Sequence, residues 1–328
     1  MSLMDITREK ISVARLSVIS NSCLIIMKVV IGIMIGSVSI ISEAIHSGVD
    51  LIAAVIAYIS VSKSDKPADK EHPFGHGKIE NISGTVEAVL IFIAAGWIIM
   101  EAVKRFMHPR TLEAAGWGAG VMLVSCIVNI LISEKLFAIG NKTDSVALKA
   151  DAWHLRTDVY TSAGVMGGLF LIWLGRGIIP DVSLSWIDPL AAIAVALLII
   201  HAAWVLTVQS ARDLLDVTLP VDEKAFISGL IASKKPDVHG FHKLRTRKAG
   251  SARFIEFHML VDPQMSVDDS HRITDEITKS ISERLPQSTV TIHVEPCHGR
   301  CDDECTRTCL LSTDERARQA RKAWARRS

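Results

Sequence analysis

The chain has 328 residues, a formal net charge of +1 and 49% hydrophobic residues, although 22% of its residues are charged. The near-neutral charge gives no basis for binding nucleic acid, and no such partner is expected. Because the chain is rich in both apolar and charged residues, the two kinds must be segregated along it, and apolar runs do dominate up to about residue 208. We predict an α-helical membrane protein with a soluble C-terminal domain.

Six apolar stretches are long enough to cross about 30 Å of hydrocarbon as helices of roughly 20 residues. We place these six transmembrane helices at residues 13–35, 38–61, 82–103, 114–136, 146–174 and 187–208. The first continues as a full span and does not resemble a cleavable signal peptide. Lysine and arginine are more frequent in the segments on the side of the two termini, so the positive-inside rule predicts that both termini are cytoplasmic.

The second and fifth stretches each carry a histidine and an aspartate four residues apart: His46 with Asp50, and His154 with Asp158. On a helix, residues i and i+4 share one face, so two such helices side by side would offer four nitrogen and oxygen ligands to an ion such as Zn²⁺. An ionised aspartate in a membrane helix costs about 2.5–3.5 kcal/mol, which favours an ion pathway over a purely structural polar network. Three residues before each histidine stand Glu43 and Asp151, which are candidate supporting partners.

The loop after the second stretch contains DKEHPFGHGK, with Asp69, His72 and His76. Pro73 and Gly75 argue against an uninterrupted helix here. A loop can still bring three ligands to one ion, so we predict a second metal site in this segment. The alternative is a solvated turn without a metal.

After Pro220, alternating and helical patterns follow one another in the order αββαβ. This order predicts a small C-terminal α+β (αββαβ) cytoplasmic domain, with a three-stranded sheet covered by two helices. Its candidate metal ligands are His242, His258, His271, His293 and Glu295. Each histidine alone is an ordinary position, but as a set they favour metal binding.

The remaining tail contains four cysteines at intervals of four, Cys297, Cys301, Cys305 and Cys309, followed by a basic end. On one long helix they would form a slowly rotating stripe instead of a compact cage. Capture of a metal by a folded loop and a solvent-exposed thiol tail remain equal alternatives, and a reducing cytoplasm disfavours disulfides. The basic end is expected to lie at the membrane surface or to be disordered.

Together, the six spans, the two H-x-x-x-D pairs, the HPFGHGK loop and the histidine-rich αββαβ domain resemble the cation diffusion facilitator family of metal transporters, over residues 11–296. This resemblance implies efflux of Zn²⁺ or a related divalent ion across the inner (cytoplasmic) membrane, driven by protons, by a homodimer in the lipid bilayer. It implies a dimer charge pair between Lys78 and Asp216. Histidine at position 46 resembles the zinc-preferring members, whereas members with aspartate there also accept Cd²⁺ or Fe²⁺. At the C-terminal site, Glu295 departs from the aspartate that is common in the family.

The ligand types themselves indicate how protons would drive transport. Metal binding needs neutral imidazole and ionised carboxylate, so an arriving cation displaces protons.

The predicted domains are residues 1–212 for transport, 213–296 for cytoplasmic metal binding and dimerisation, and 297–328 for the tail. Alternatives are a metal-responsive regulator without transport, a passive channel, or a main ion that is Fe²⁺, Mn²⁺ or Cd²⁺. An enzyme is not expected, because the chain lacks H-E-x-x-H and its four candidate ligands would leave no position for water.

Overall fold

Long helices form the first part of the chain, and the computed structural model describes residues 3–35, 38–107, 116–178, 187–299, 301 and 303–325. Contacts divide the chain into an N-terminal unit, Met1–Arg212, and a C-terminal unit, Asp213–Ser328. The long helices are α1 (Leu3–Ile35), α2 (Val38–Ser64), α3 (Lys78–Met107), α4 (Gly116–Thr143), α5 (Val146–Ile178) and α6 (Ile187–Leu214).

Within the described part of the chain, four of these helices, α1, α3, α4 and α6, are long and apolar enough to cross a membrane. The crossings by α2 and α5, the two helices with the His/Asp pairs, stay predictions. Large apolar side chains such as Ile33, Ile93, Trp97 and Trp204 are exposed on the N-terminal unit. Exposed apolar residues at this density fit contact with lipid better than contact with water.

Helix α5 lies between two groups of packed helices. On one side, Leu148 and Leu155 pack with residues of α1, α2 and α4. On the other, Ala150 packs with residues of α3 and α6. Small residues permit this close approach: a side chain at Gly84 of α3 would lie 2.8 Å from a methyl carbon of Val146. The fifth helix, which carries His154 and Asp158, is therefore held from several sides.

A buried lysine joins three segments of the N-terminal unit. The Nζ of Lys10 in α1 lies 2.8 Å from Asp65 Oδ1, just after α2, and 2.7 Å from Glu80 Oε1 in α3. Glu80 also accepts hydrogen bonds from Ser64 and from Ser145, the residue before α5. Lys10 and Glu80 are fully buried, so each charge depends on the other for compensation.

The C-terminal unit begins with α7 (Val221–Ala232), β1 (Val238–Ala249), β2 (Ala252–Val261), α8 (Val267–Arg284) and β3 (Ser288–Pro296), which confirms the predicted αββαβ order. The sheet order is β1-β2-β3, with β1 and β2 antiparallel and β2 and β3 parallel. Alternate residues of β2, such as Phe257 and Met259, pack with Ile273 and Ile277 of α8 and with Ile231 of α7. One face of the sheet therefore carries the hydrophobic core, and the intervening residues point to the other face.

The tail forms two further helices, α9 (Asp303–Arg307) and α10 (Thr313–Ala325). It packs on the C-terminal unit, where Cys309 forms an isolated bridge with Gly240 of the edge strand β1. Gln319 of α10 is buried and donates to the carbonyl of Cys297. Of the two expectations for the basic end, disorder was wrong for the described residues, because helix formation and contacts with the domain offset the ordering entropy. A location at the membrane surface stays a prediction.

Candidate metal centres

Three groups of metal-ligating side chains converge within the described residues. The first, here called the membrane cluster, consists of Asp50, His154 and Asp158, whose ligand atoms all lie within 4.8 Å of one another. His154 Nε2 and Asp50 Oδ1 are 3.1 Å apart, and both residues are buried. His46 lies on α2 one turn before Asp50, but its side chain falls outside the described residues. The cluster thus joins α2 to α5, as the two i, i+4 pairs predict.

Two more buried carboxylates lie near the membrane cluster. Asp151, one turn before His154 on α5, is fully buried and interacts electrostatically with His154 and Asp50. Glu87 of α3 is also fully buried and interacts with Asp151. The side chain of Glu43, the other candidate partner, falls outside the described residues.

Sequence reasoning missed Glu87. It belongs to no motif. The available signal was a carboxylate well inside the apolar third stretch, where an acidic residue is costly, whereas Glu101 lies near the end of that stretch.

The loop cluster consists of Asp69, His72 and His76. Asp69 Oδ1 accepts hydrogen bonds from the backbone amides of His72 (2.7 Å) and Glu71 (3.0 Å), which form a tight turn. The other carboxylate oxygen lies 3.3 Å from His76 Nε2. The hydrogen bond from the amide of His72 is the main cause that lowers the pKa of Asp69 below its usual value. An anionic carboxylate therefore stands beside two imidazoles, which suits a cation.

The C-terminal cluster is built by strand register. His242, His258 and His293 are direct neighbours across β1, β2 and β3, so they form a row on the sheet face opposite the core. Glu295, two residues after His293, projects to the same face. Its carboxylate lies 2.9 Å from His242 Nε2 and 2.7 Å from His258 Nδ1. Burial opposes its ionisation, but the two imidazole hydrogen bonds outweigh burial and lower the pKa of Glu295.

The centroids of the His293 and His258 rings are 4.7 Å apart and the rings are tilted by 41°. His293 Nε2 is 3.5 Å from Glu295, farther than the nitrogens of the other two imidazoles. His271 does not join the cluster within one protomer, because it lies on α8, which packs on the core face of the sheet. Its imidazole is exposed and lies 3.6 Å from Asp275. The assignment of His271 as a ligand thus stays a prediction.

The two residues of the predicted dimer charge pair lie in different units. Lys78 is the first residue of α3. Asp216 accepts a hydrogen bond from Arg247 at 3.3 Å within the C-terminal unit. A pair between Lys78 and Asp216 in a dimer stays a prediction.

Comparison with known proteins gives the chain two family matches. Residues 14–215 match the cation efflux transmembrane domain, and residues 219–297 match the cytoplasmic domain of cation efflux proteins. The boundary between the matches falls where the structure separates its two units.

Individual relatives match over most of the chain. An uncharacterized transporter of Synechocystis sp. is 36% identical over 80% of this chain and 82% of its own length. The cation-efflux pump FieF of Serratia proteamaculans is 31% identical over 84% of this chain and 89% of its own length. Among solved structures, the metal-bound C-terminal domain of the CzcD transporter from Thermotoga maritima is 36% identical, with a TM-score of 0.21; the match covers 24% of this chain and 96% of that one.

Proposed function

The chain belongs to the cation efflux family, and from this premise we propose that it exports Zn²⁺ in exchange for protons. That it is a cation efflux transporter follows from the family matches and from relatives aligned over most of the chain. The single observation that carries the finer proposal is the meeting of Asp50, His154 and Asp158 between α2 and α5. Imidazole nitrogen and carboxylate oxygen are donors that Zn²⁺ accepts together.

The coupling to protons follows from the contact between His154 and Asp50. A hydrogen bond of 3.1 Å needs a proton between the two atoms. We propose that His154 is a doubly protonated imidazolium before a cation binds, so that this shared proton is in excess of the one that a neutral imidazole keeps. A cation that takes both atoms as ligands must displace it. When the site opens to the other side, protons from that side displace the cation in turn, which gives antiport.

The surrounding charges support a cation in this place. Asp50, Asp158 and Asp151 act on the imidazole of His154, and Glu87 acts on Asp151. Of these four carboxyl groups, Asp50, Asp151 and Glu87 are buried. Removing so many carboxylates from water is costly unless cations or protons compensate them. We propose that His46 completes the ligand set, and that Asp151 and Glu87 stabilise the positive charge that passes through the cluster.

For the rest of the molecule we propose the arrangement typical of the family. The protein is a homodimer in the inner membrane, with both termini in the cytoplasm and residues 213–296 as its metal-binding and dimerisation domain. The loop cluster and the C-terminal cluster bind the same class of ion on the cytoplasmic side. Lys78 and Asp216 pair in the dimer, and His271 and His293 contribute to the C-terminal site. Zn²⁺ is the main ion, with Cd²⁺, Fe²⁺ and Mn²⁺ as competitors.

One prediction tests the C-terminal cluster. Replacing Glu295 with alanine removes the carboxylate that contacts both His242 and His258, so we expect the Zn²⁺ affinity of this site to fall more than about 10-fold. The measurement is calorimetric titration of the full-length protein in detergent.

The matched control is Glu256→Ala. Glu256 stands two residues before His258 on the same face of β2, paired with Thr291 instead of a histidine. This variant should bind Zn²⁺ as the unsubstituted protein does. Equal losses in the two variants would mean that general negative charge, and not ligation by Glu295, attracts the ion.

A further inference from the structure

The four cysteines of the tail are a feature that the transport proposal does not use. Three of them lie beyond residue 297, where the match to the cytoplasmic domain ends. The remaining cysteines of the chain, Cys23 and Cys126, are in α1 and α4 of the N-terminal unit. The thiols of the tail are therefore concentrated in one short segment of the C-terminal unit, here called the thiol cluster: Cys297, Cys301, Cys305 and Cys309.

Local backbone structure explains why the cysteines gather instead of spreading along a helix. The chain turns at Gly299, whose φ of 68° favours glycine, and any side chain there would collide with Ala320 of α10. The following helix, α9, is only five residues long and contains Cys305 alone of the four. Cys309 then lies beside Gly240 of β1. The segment with the four cysteines therefore turns back, and the cysteines do not form the stripe expected for one long helix.

Three of the four cysteines pack together in one small apolar cluster. Cys297 and Cys305 are buried in a cluster with Leu260, and Cys301 packs against it together with Leu311. The thiols of Cys301 and Cys305 are hydrogen-bonded, and Cys305 interacts electrostatically with Cys297 and Cys309 as well. Burial first, and then the neighbouring thiols, raise the pKa of Cys305 to about 12.

The segment that carries the thiols is anchored on both sides. The amide of Leu310 donates to the carbonyl of His239 at 2.9 Å, and Thr308 donates to the carbonyl of Phe241. Gln319 of α10 donates to the carbonyl of Cys297 at 3.2 Å. Glu304 of α9 accepts from the amide of Lys243 at 2.9 Å. These contacts hold the backbone that carries the thiols against β1.

We propose that the thiol cluster binds one thiophilic divalent cation, Zn²⁺ or Cd²⁺, through its four sulfur atoms. Four thiolates in tetrahedral arrangement are a common structural site for Zn²⁺, and soft sulfur ligands select such ions over Mg²⁺ or Mn²⁺. Cys301 and Cys309 lie outside the helices and are partly exposed, so rotation of their side chains can bring the sulfur atoms to an ion while the backbone contacts of the tail stay in place. Each thiol that becomes a ligand releases its proton to solvent as the cation enters.

Cobalt tests this site spectroscopically in the full-length protein in detergent, under reducing conditions. Co²⁺ bound by thiolates gives a sulfur-to-metal charge-transfer absorption that imidazole and carboxylate ligands do not give. We expect this absorption in the unsubstituted protein and its loss in Cys301→Ser/Cys309→Ser, a variant that leaves the two buried cysteines in place. It should persist in Cys23→Ser/Cys126→Ser, the matched control, and in Glu295→Ala.

Alkylation gives a second readout that does not depend on cobalt. We expect Zn²⁺ to slow the reaction of Cys301 and Cys309 with iodoacetamide, by about 100-fold when free Zn²⁺ is 100 times its Kd. Absence of the charge-transfer absorption, its persistence in Cys301→Ser/Cys309→Ser, or disulfides among these cysteines under reducing conditions would each overturn the proposal. Transport of Zn²⁺ by the same cysteine variants is measured separately, so a failure of this site is distinguishable from a failure of the transport proposal.

Discussion

Replacing Asp50 or Asp158 with alanine is expected to abolish proton-driven Zn²⁺ flux in proteoliposomes while the protein stays folded. Both carboxylates lie within 4.8 Å of His154, and each would supply a negatively charged ligand to the ion. Loss of even a residue that supports a ligand typically lowers metal affinity or activity by about 10- to 100-fold, so loss of a ligand itself should reduce flux by more than about 100-fold. The measurement is Zn²⁺ uptake, followed with an indicator inside the vesicles.

Glu134→Gln is the matched control for these two variants. Glu134 is a carboxylate on the neighbouring helix α4, but its side chain is 61% exposed and contacts Arg156 at 3.5 Å. Flux in this variant should equal that of the unsubstituted protein. Unchanged flux in both Asp50→Ala and Asp158→Ala would remove the membrane cluster as the transport site.

Replacing Lys10 with methionine should destabilise the N-terminal unit strongly, by about 3–5 kcal/mol in the free energy of unfolding. The substitution leaves Glu80, which is fully buried, and Asp65 without the ammonium group that lies 2.7 and 2.8 Å from them. Methionine fills similar space, so the loss reports the uncompensated charges and not a cavity. The measurement is denaturant unfolding of the purified protein in detergent.

Two further variants separate burial from pairing. Lys142→Met breaks the ion pair with Glu9, in which the side chains are 46% and 39% exposed, and should cost less than about 1 kcal/mol. Lys10→Met/Glu80→Gln removes one of the two carboxylates that lose their ion pair with Lys10, and should recover part of the lost stability. Equal losses for Lys10→Met and Lys142→Met would show that the buried network contributes no more than a surface pair.

The long helices could be predicted from the length of the apolar stretches, and the order of elements in the C-terminal unit from the periodicity of apolar residues. Hydropathy, however, locates only the part of a helix that lies in the hydrocarbon and not the ends of the helix. Helix α1 begins at Leu3 and α3 at Lys78, both before the apolar stretches that locate them, because hydrogen-bonded backbone continues into the polar interface. The second and fifth helices carry polar residues within their apolar stretches, and Asp50, His154 and Asp158 among them form the membrane cluster.

The candidate site could be predicted where the candidate ligands are close in sequence or follow a fixed period. Asp50 and Asp158 each stand four residues after a histidine, and Glu295 stands two after His293, so helix and strand geometry place them together. The row of His242, His258 and His293 depends instead on strand register, which the sequence suggested only through its histidine content.

Contacts between distant helices could not be predicted. The pairing of Lys10 with Glu80 and the approach of Glu87 to Asp151 join α1, α3 and α5 through packing that no local pattern encodes. The tail was also beyond sequence reasoning, because its folding depends on hydrogen bonds to the edge of β1. Its cysteine spacing indicated only that thiols were available, and the turn at Gly299 directs the segment back against Ala320 of α10.

The most direct test of the central claim measures Zn²⁺ and proton movement together in proteoliposomes that contain the unsubstituted protein. With an acidic lumen and Zn²⁺ added outside, the proposal predicts that Zn²⁺ enters faster than without a pH gradient and that the lumen becomes less acidic as it enters. Comparison with Cd²⁺, Fe²⁺ and Mn²⁺ under the same gradient ranks the ions. Zn²⁺ entry at the same rate with and without the gradient, with no movement of protons, would contradict exchange of the cation for protons at the membrane cluster.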